Sequence, residues 1–213
     1  MEILFESGDY VAVNKREHIA SISESVKNGL PELLKEKYPE KLFPVHRLDK
    51  EASGVVIFAR NGDAHRHLNC EFDRRAVAKS YLLLVHGNIP QTRGTIDKPI
   101  REFGSGRMGV DPACGKQSLT EFEVKERIGD FNLIEAHPLT GRRHQLRVHF
   151  YSIGHPVVGD LRYGDRLLQE TFPRLMLHAL MISFSLASGE VLTIEAPIPP
   201  SFNGFLQSLR NAQ

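Results

Sequence analysis

Val45-His46-Arg47-Leu48-Asp49-Lys50-Glu51-Ala52-Ser53-Gly54-Val55-Val56-Ile57-Phe58-Ala59 is the stretch from which the fold is read. Its second half, Gly54 to Ala59, is a short uninterrupted apolar run, as expected of a strand buried on both faces. Asp49 stands in a turn-like stretch just ahead of it. A carboxylate in such a place either caps the turn or takes part in function, and the residues by themselves leave both readings open. Arg47 reads equally as a solvated surface charge.

Outward from this segment the periodicities alternate between those of strands and helices. Ile3–Glu6 and Tyr10–Asn14 read as short strands joined by Ser7-Gly8-Asp9. A polar stretch follows, then a helix near Leu30–Lys37, ended by Pro39. On the other side, Asn61 and Asp63 can cap a helix with Ala64, Leu68 and Phe72 on one face. Tyr81–Val85 is a second buried strand. Residues 88–118 are rich in turn formers and read as a long connection carrying short strands.

Further on, Phe122 and Val124 alternate with Glu121, Glu123 and Lys125, the pattern of a half-exposed strand. Gly129-Asp130 turns it back into Phe131–His137. A helix opened by Thr140-Gly141 is expected to place Leu146, Phe150 and Ile153 inward and to stop at Gly154. Strands Leu177–Leu186 and Val191–Glu195 flank Ser188-Gly189, and Phe202, Phe205, Leu206 and Leu209 form a closing amphipathic helix. There is no internal repeat or low-complexity tract. The expectation is α+β: one domain over residues 1–213, with a mostly antiparallel mixed central sheet flanked by helices.

The chain has 213 residues, 41% apolar and 25% charged, with 27 Lys+Arg against 26 Asp+Glu. That length buries a sizeable core without staples. Near-neutrality argues against a polycationic coat, while leaving room for a local basic groove. Cys70 and Cys114 are far apart and make no zinc spacing, so two reduced thiols are expected. The acidic start, Met-Glu-Ile-Leu-Phe-Glu, is unlike a signal peptide, and no apolar run approaches the ~18 residues of a membrane span. A soluble, cytoplasmic protein with no membrane partner is expected.

Three patterns invite chemistry. Gly104-Ser-Gly106-Arg-Met-Gly109 matches GxGxxG, yet Lys98-Pro99 before it and Asp111-Pro112 after it suit a hairpin tip better than a nucleotide-binding helix. His144 and His149, spaced i, i+5, split across helix faces, so no metal site is expected. Leu139-Thr-Gly-Arg-Arg-His-Gln-Leu-Arg-Val-His149 is denser. Arg143 and Arg147 at i, i+4 would give the helix a basic face with no acid within it, suited to a phosphate-bearing ligand.

Taken together, the segments resemble the signature of the RluA-type pseudouridine synthases. His46-Arg-Leu-Asp-Lys-Glu-Ala-Ser-Gly54 is similar to that family's HRLDxxTSG box. Thr140-Gly-Arg-Arg-His-Gln-Leu-Arg-Val-His149, continuing through Gly154-His-Pro-Val-Val-Gly-Asp160, is similar to its TGRxHQxRVH…GHPxxGD box. Val13-Asn-Lys15, Lys79-Ser-Tyr81, Gly115-Lys116 and Arg174-Leu-Met-Leu-His-Ala179 match in order, so the resemblance runs from about Ile3 to Pro200. Two positions depart from it. Ala52 replaces the usual Thr, and Arg16-Glu17-His18 replaces the usual Pro-Ala-Gly.

The resemblance implies an enzyme that detaches uracil from C1′ of a ribose, rotates it and rejoins it through C5, with no metal or organic cofactor. It implies Asp49 as the catalytic carboxylate, Arg147 as its cationic partner and Tyr81 as the active-site tyrosine, a residue that in a buried strand would otherwise be core. Arg47 would fill the space of a flipped uridine, and Arg47, Lys50, Arg142, Arg143 and His144 are the expected RNA-binding residues. Ribosomal and transfer RNA are the expected partners, with monomer the default. No room is expected for an S4-type module before Ile3, so loops such as Pro99–Gly115 would select the substrate. Two alternatives remain from the residues: an inactive RNA-binding or RNA-chaperone protein, and an N-glycosidic hydrolase. Arg47, Arg142, Arg143 and Arg147 are expected to gather at one cleft, polarising the surface of a neutral protein.

Overall fold

The computed structural model describes residues 1–22 and 29–212, so the polar stretch read after Asn14 lies partly outside the described residues. In chain order the elements are β1 (Glu2–Glu6), β2 (Tyr10–Lys15), α1 (Leu30–Leu34), β3 (Phe43–Pro44), β4 (Ser53–Ala59), α2 (Gly62–Asp73), β5 (Ala78–His86), β6 (Arg93–Asp97), β7 (Ile100–Glu102), β8 (Met108–Val110), β9 (Leu119–Ile128), β10 (Phe131–Pro138), α3 (Gln145–Ser152), α4 (Arg166–Gln169), β11 (Leu177–Ser185), β12 (Val191–Glu195) and α5 (Pro200–Asn211). The class is α+β with mostly antiparallel strands and few helices, as read from the sequence.

The chain forms two compact units, Met1–Lys79 with Ala179–Ile198, and Ser80–His178 with Pro199–Gln213; it passes between them within β5, within β11 and again from Ile198 to Pro199. In the first unit the strands run β1-β2-β4-β11, with β3 on β4 and β12 on β11. β2 and β4 pair antiparallel, Val13 opposite Val56 and Lys15 opposite Gly54. The apolar run reads correctly: every residue of β4 is buried. Val, Ile and Phe side chains so enclosed contribute about 1.5–3 kcal/mol each. Gly54 has φ +117, and a Cβ there would lie 2.1 Å from the Ala179 carbonyl oxygen, so no larger residue fits. α2 opens as expected, with Ala64 N donating to Asn61 Oδ1 at 2.9 Å, a cap worth about 1 kcal/mol.

In the second unit the strands run β5-β10-β9-β6, and β7 and β8 make a separate two-stranded hairpin. A core of this unit joins Leu82, Leu84, Ile128, Leu133, Val158 and Met176 to Phe202 and Leu206 of α5. Met108 of the hairpin packs with Val148 of α3 and with Tyr163. The GxGxxG match sits at the hairpin tip, closed by Phe103 N to Arg107 O at 2.9 Å and Gly106 N to Phe103 O at 2.8 Å.

The elements differ from the sequence reading at α1, α3, β3 and α4. α1 ends at Leu34 rather than near Lys37, because the Leu34 carbonyl takes both Lys37 N and Tyr38 N and turns the chain. α3 starts at Gln145 rather than at Thr140, and β3 and α4, each under five residues, carry no periodicity to read. His18, in the place of the Gly usual in the sequences it resembles, has a left-handed backbone (φ 64), a region that Gly adopts freely. Among the described residues no helix is long and apolar enough to cross a membrane.

Candidate active site

Arg47, Asp49 and Lys50 share one loop of the first unit, between β3 and β4, with Asp49 and Lys50 in its closing turn. Two buried side chains shape that turn. Ser21 Oγ donates to Leu48 O and accepts from Leu48 N, both at 3.0 Å. Lys15, fully buried at the end of β2, directs Nζ at the carbonyls of Arg16 (3.0 Å), Ile19 (2.9 Å), Lys50 (3.1 Å) and Ala52 (2.5 Å). A buried ammonium is costly unless its protons are taken up, and here carbonyl dipoles do so. Ala52 N closes the turn on Asp49 O at 3.2 Å. The side chain of Ala52 is buried, and the position acts through its backbone.

Asp49 is half-buried, whereas Arg47 and Lys50 are exposed. His46 is turned inward: its Nε2 accepts from Ile57 N at 3.0 Å and its ring stacks on Phe72 at 5.6 Å. Burial, reinforced by the charge of Lys79, lowers its pKa to about 4, so the imidazole is neutral and the bond to β4 is permanent near neutrality.

Tyr81, Arg142, Arg143, His144 and Arg147 belong to the second unit. Tyr81 is half-buried in β5, opposite Ala136 of β10. The other four lie at the start of α3, where Gln145 organises the approach. Its Oε1 accepts from Thr140 Oγ1 (2.7 Å) and Arg142 N (3.0 Å), and its Nε2 donates to Leu119 O and Thr120 Oγ1, each at 3.0 Å. These bonds hold residues 140–144 in a loop and delay the helix. His144 caps α3 in the left-handed conformation (φ 54), with Nδ1 2.8 Å from Tyr163 Oη.

The expected basic helix face is not formed. Arg143 precedes the helix and pairs with Glu102 at 2.9 Å, and Arg142 Nε donates to Gln117 O at 3.3 Å. Arg147 is buried, its Nε and Nη2 each 2.7 Å from an oxygen of Asp160. The acids come from distant parts of the chain, which is why a search within the helix missed them. Asp160 Oδ1 also accepts from Arg162 N (2.9 Å) and Tyr163 N (3.0 Å). A bidentate pair of this kind fixes a guanidinium in plane and direction. Gly159 beside it has φ +76, and a Cβ would fall 1.8 Å from Arg174 O.

His149 is a core histidine rather than a ligand. Thr120 Oγ1 meets its Nδ1 at 2.9 Å and Lys98 O its Nε2 at 3.1 Å, and burial lowers its pKa. Among the described residues no cluster of His, Cys, Asp and Glu fits a metal. Sequence reasoning did not single out Lys15, Ser21, Gln145, Asp160 or Tyr163. Lys15, Gln145 and Asp160 lie within the matched boxes, whereas Ser21 and Tyr163 gave no signal.

Comparison with known proteins adds the following. The profile of the RNA pseudouridylate synthase family matches residues 9–152. An uncharacterized RNA pseudouridine synthase, YlyB, of Bacillus subtilis is 39% identical over 168 residues, 78% of this chain and 55% of that protein. The ribosomal large subunit pseudouridine synthase C of Escherichia coli is 36% identical over 226 residues, 99% of this chain and 70% of that protein. Among solved structures, human RNA pseudouridylate synthase domain containing 1 superposes with a TM-score of 0.81 at 33% identity, covering 98% of this chain and 94% of that one.

Proposed function

The chain belongs to the RNA pseudouridylate synthase family, isomerases that act on RNA, and on that premise we propose that it converts uridines of structured ribosomal or transfer RNA to pseudouridine. The observation that carries the reading is the Asp49 turn, which Lys15 and Ser21 brace ahead of a fully buried strand. A side chain that must meet one reacting atom needs such a support, and a merely solvated aspartate does not.

Asp49 is the catalytic carboxylate of this scheme. The N1–C1′ bond of the target uridine breaks, the uracil rotates, a C5–C1′ bond forms, the C5 proton leaves to solvent and the freed N1 takes up a proton from solvent. Substrate and product are isomers, so the step consumes no oxidant, reductant or cofactor. Arg147 supplies a cation whose direction Asp160 sets, and Tyr81 offers a ring face for the base and a hydroxyl for proton transfer. Arg47, always charged and planar, fills the place of the flipped uridine, whose extrusion costs a few kcal/mol. Lys50, Arg142, Arg143 and His144 contact the RNA backbone. The name of the Escherichia coli relative supports ribosomal RNA, and the family match, which includes residues of both compact units, supports treating residues 1–213 as one catalytic domain. The enzyme is placed in the cytoplasm as a monomer.

Cellular RNA tritiated at uracil C5 tests the scheme. Wild type is expected to release tritium to water while Asp49→Asn releases none. Absence of release from any RNA sinks the proposal, and free labelled uracil replaces it with a hydrolase.

A further inference from the structure

We propose that the cleft between the β7–β8 hairpin and α3 is a second RNA subsite, which receives one unpaired nucleobase of the bound strand. The inference rests on RNA being the substrate, as proposed above, and adds where a base other than the reacting uridine is held. The cleft encloses about 450 Å³, within the range of small-ligand sites. Met108, Val148 and Tyr163 make a buried floor. Phe103 and Tyr151 line the cleft while 39% and 45% exposed, so both rings present aromatic surface to a guest. The Phe103 ring is already held, with the Arg101 guanidinium 4.5 Å from its centroid.

The charge beside these rings decides the occupant. The Arg107 guanidinium lies 5.2 Å from the Tyr163 centroid and 5.8 Å from that of Tyr151, and among the described residues no carboxylate pairs with it. A purely aliphatic guest would use the floor and leave that cation idle. A nucleotide uses both, stacking its base on the rings and setting its phosphate against the guanidinium. Position supports the same guest. Arg147 stands 5.3 Å from the same Tyr163 ring, and Tyr151 follows Arg147 by one helical turn. The cleft thus adjoins the candidate residue Arg147, within reach of a strand bound there. The GxGxxG hairpin, read from sequence as a tip without nucleotide chemistry, forms one wall.

The test titrates the full chain into an RNA hairpin with a single 2-aminopurine in its loop. Stacking is expected to quench the fluorescence saturably. Tyr151→Leu, on α3, and Phe103→Leu, on the hairpin, should each weaken binding about 5- to 150-fold, the span that stacking one base is worth. Tyr151→Phe should bind within about twofold of wild type. Arg107→Gln should reduce the slope of log K against log salt by about 0.7. Because the two leucine variants alter separate elements, misfolding of one leaves the other to report. Quenching by both leucine variants equal to wild type, or no quenching by wild type, overturns the subsite. Asp49→Asn should quench normally while releasing no tritium. Quenching without tritium release from any protein would defeat the synthase reading and spare the subsite, and release without quenching would do the reverse.

Discussion

At Nε2 of His46 the Ile57 amide already occupies the lone pair that a proton would need, and burial with the charge of Lys79 keeps the ring neutral down to about pH 4. In the unfolded chain the same ring takes up its proton near pH 6.5. Between those values the unfolded state binds more protons, so stability falls as pH drops from 6.5 to 4 and stays lost below. The difference amounts to at most about 3 kcal/mol. The lowered pKa of His149 acts in the same direction. Urea unfolding followed across this range should therefore show the midpoint falling with acid. His46→Gln, whose amide oxygen can accept from Ile57 N, should flatten that slope. A wild-type midpoint constant from pH 6.5 to 4 contradicts the assignment.

α3 depends on a residue eight positions beyond its end. The Arg147 guanidinium is buried against Asp160, and burial of one without the other strands a charge in a poorly solvated place. Asp160→Asn keeps an acceptor for the Arg162 and Tyr163 amides but removes the counter-ion, and is expected to destabilise the protein by about 3–5 kcal/mol in urea unfolding. In the Arg147→Met background the same change should cost much less, since the charge it strands is gone; equal costs would mean the two side chains act independently. This pair also marks where the sequence stops being readable. β4 was legible because an apolar run must be buried, and α2 because Asn61 caps and Ala64 and Leu68 repeat. The start of α3 was misread because its course is set by Gln145 reaching Leu119 and Thr120 in β9, contacts 26 and 25 residues away that leave no periodic trace. Asp49, Tyr81 and Arg147 were singled out through their matched boxes, while Ser21, which holds the Leu48 backbone, and Tyr163, which meets the candidate residue His144, left no signal of that kind.

Across the whole molecule, 27 basic residues against 26 acidic leave almost no net field, so any affinity for a polyanion depends on which cations are already engaged. Several surface arginines are claimed: Arg60 by Glu40, Arg93 by Glu123, Arg210 by Glu126 and Arg143 by Glu102. Exposed pairs of this kind are worth little to stability, so they exchange readily for phosphate. Glu102→Gln should leave the unfolding midpoint nearly unchanged while tightening RNA binding and steepening the salt dependence by about 0.7–0.9 in slope. An unaltered slope would show that Arg143 does not engage the backbone.

The enclosure of Lys15 has a chemical corollary. Its amine, surrounded by four carbonyls and without solvent contact, is hidden from acylating reagents for as long as the Asp49 turn keeps its shape. Exposed lysines such as Lys50 react at once. The rate at which Lys15 is labelled therefore becomes a clock for how often the turn opens, readable by mass spectrometry on the native protein, with no RNA present and no activity required.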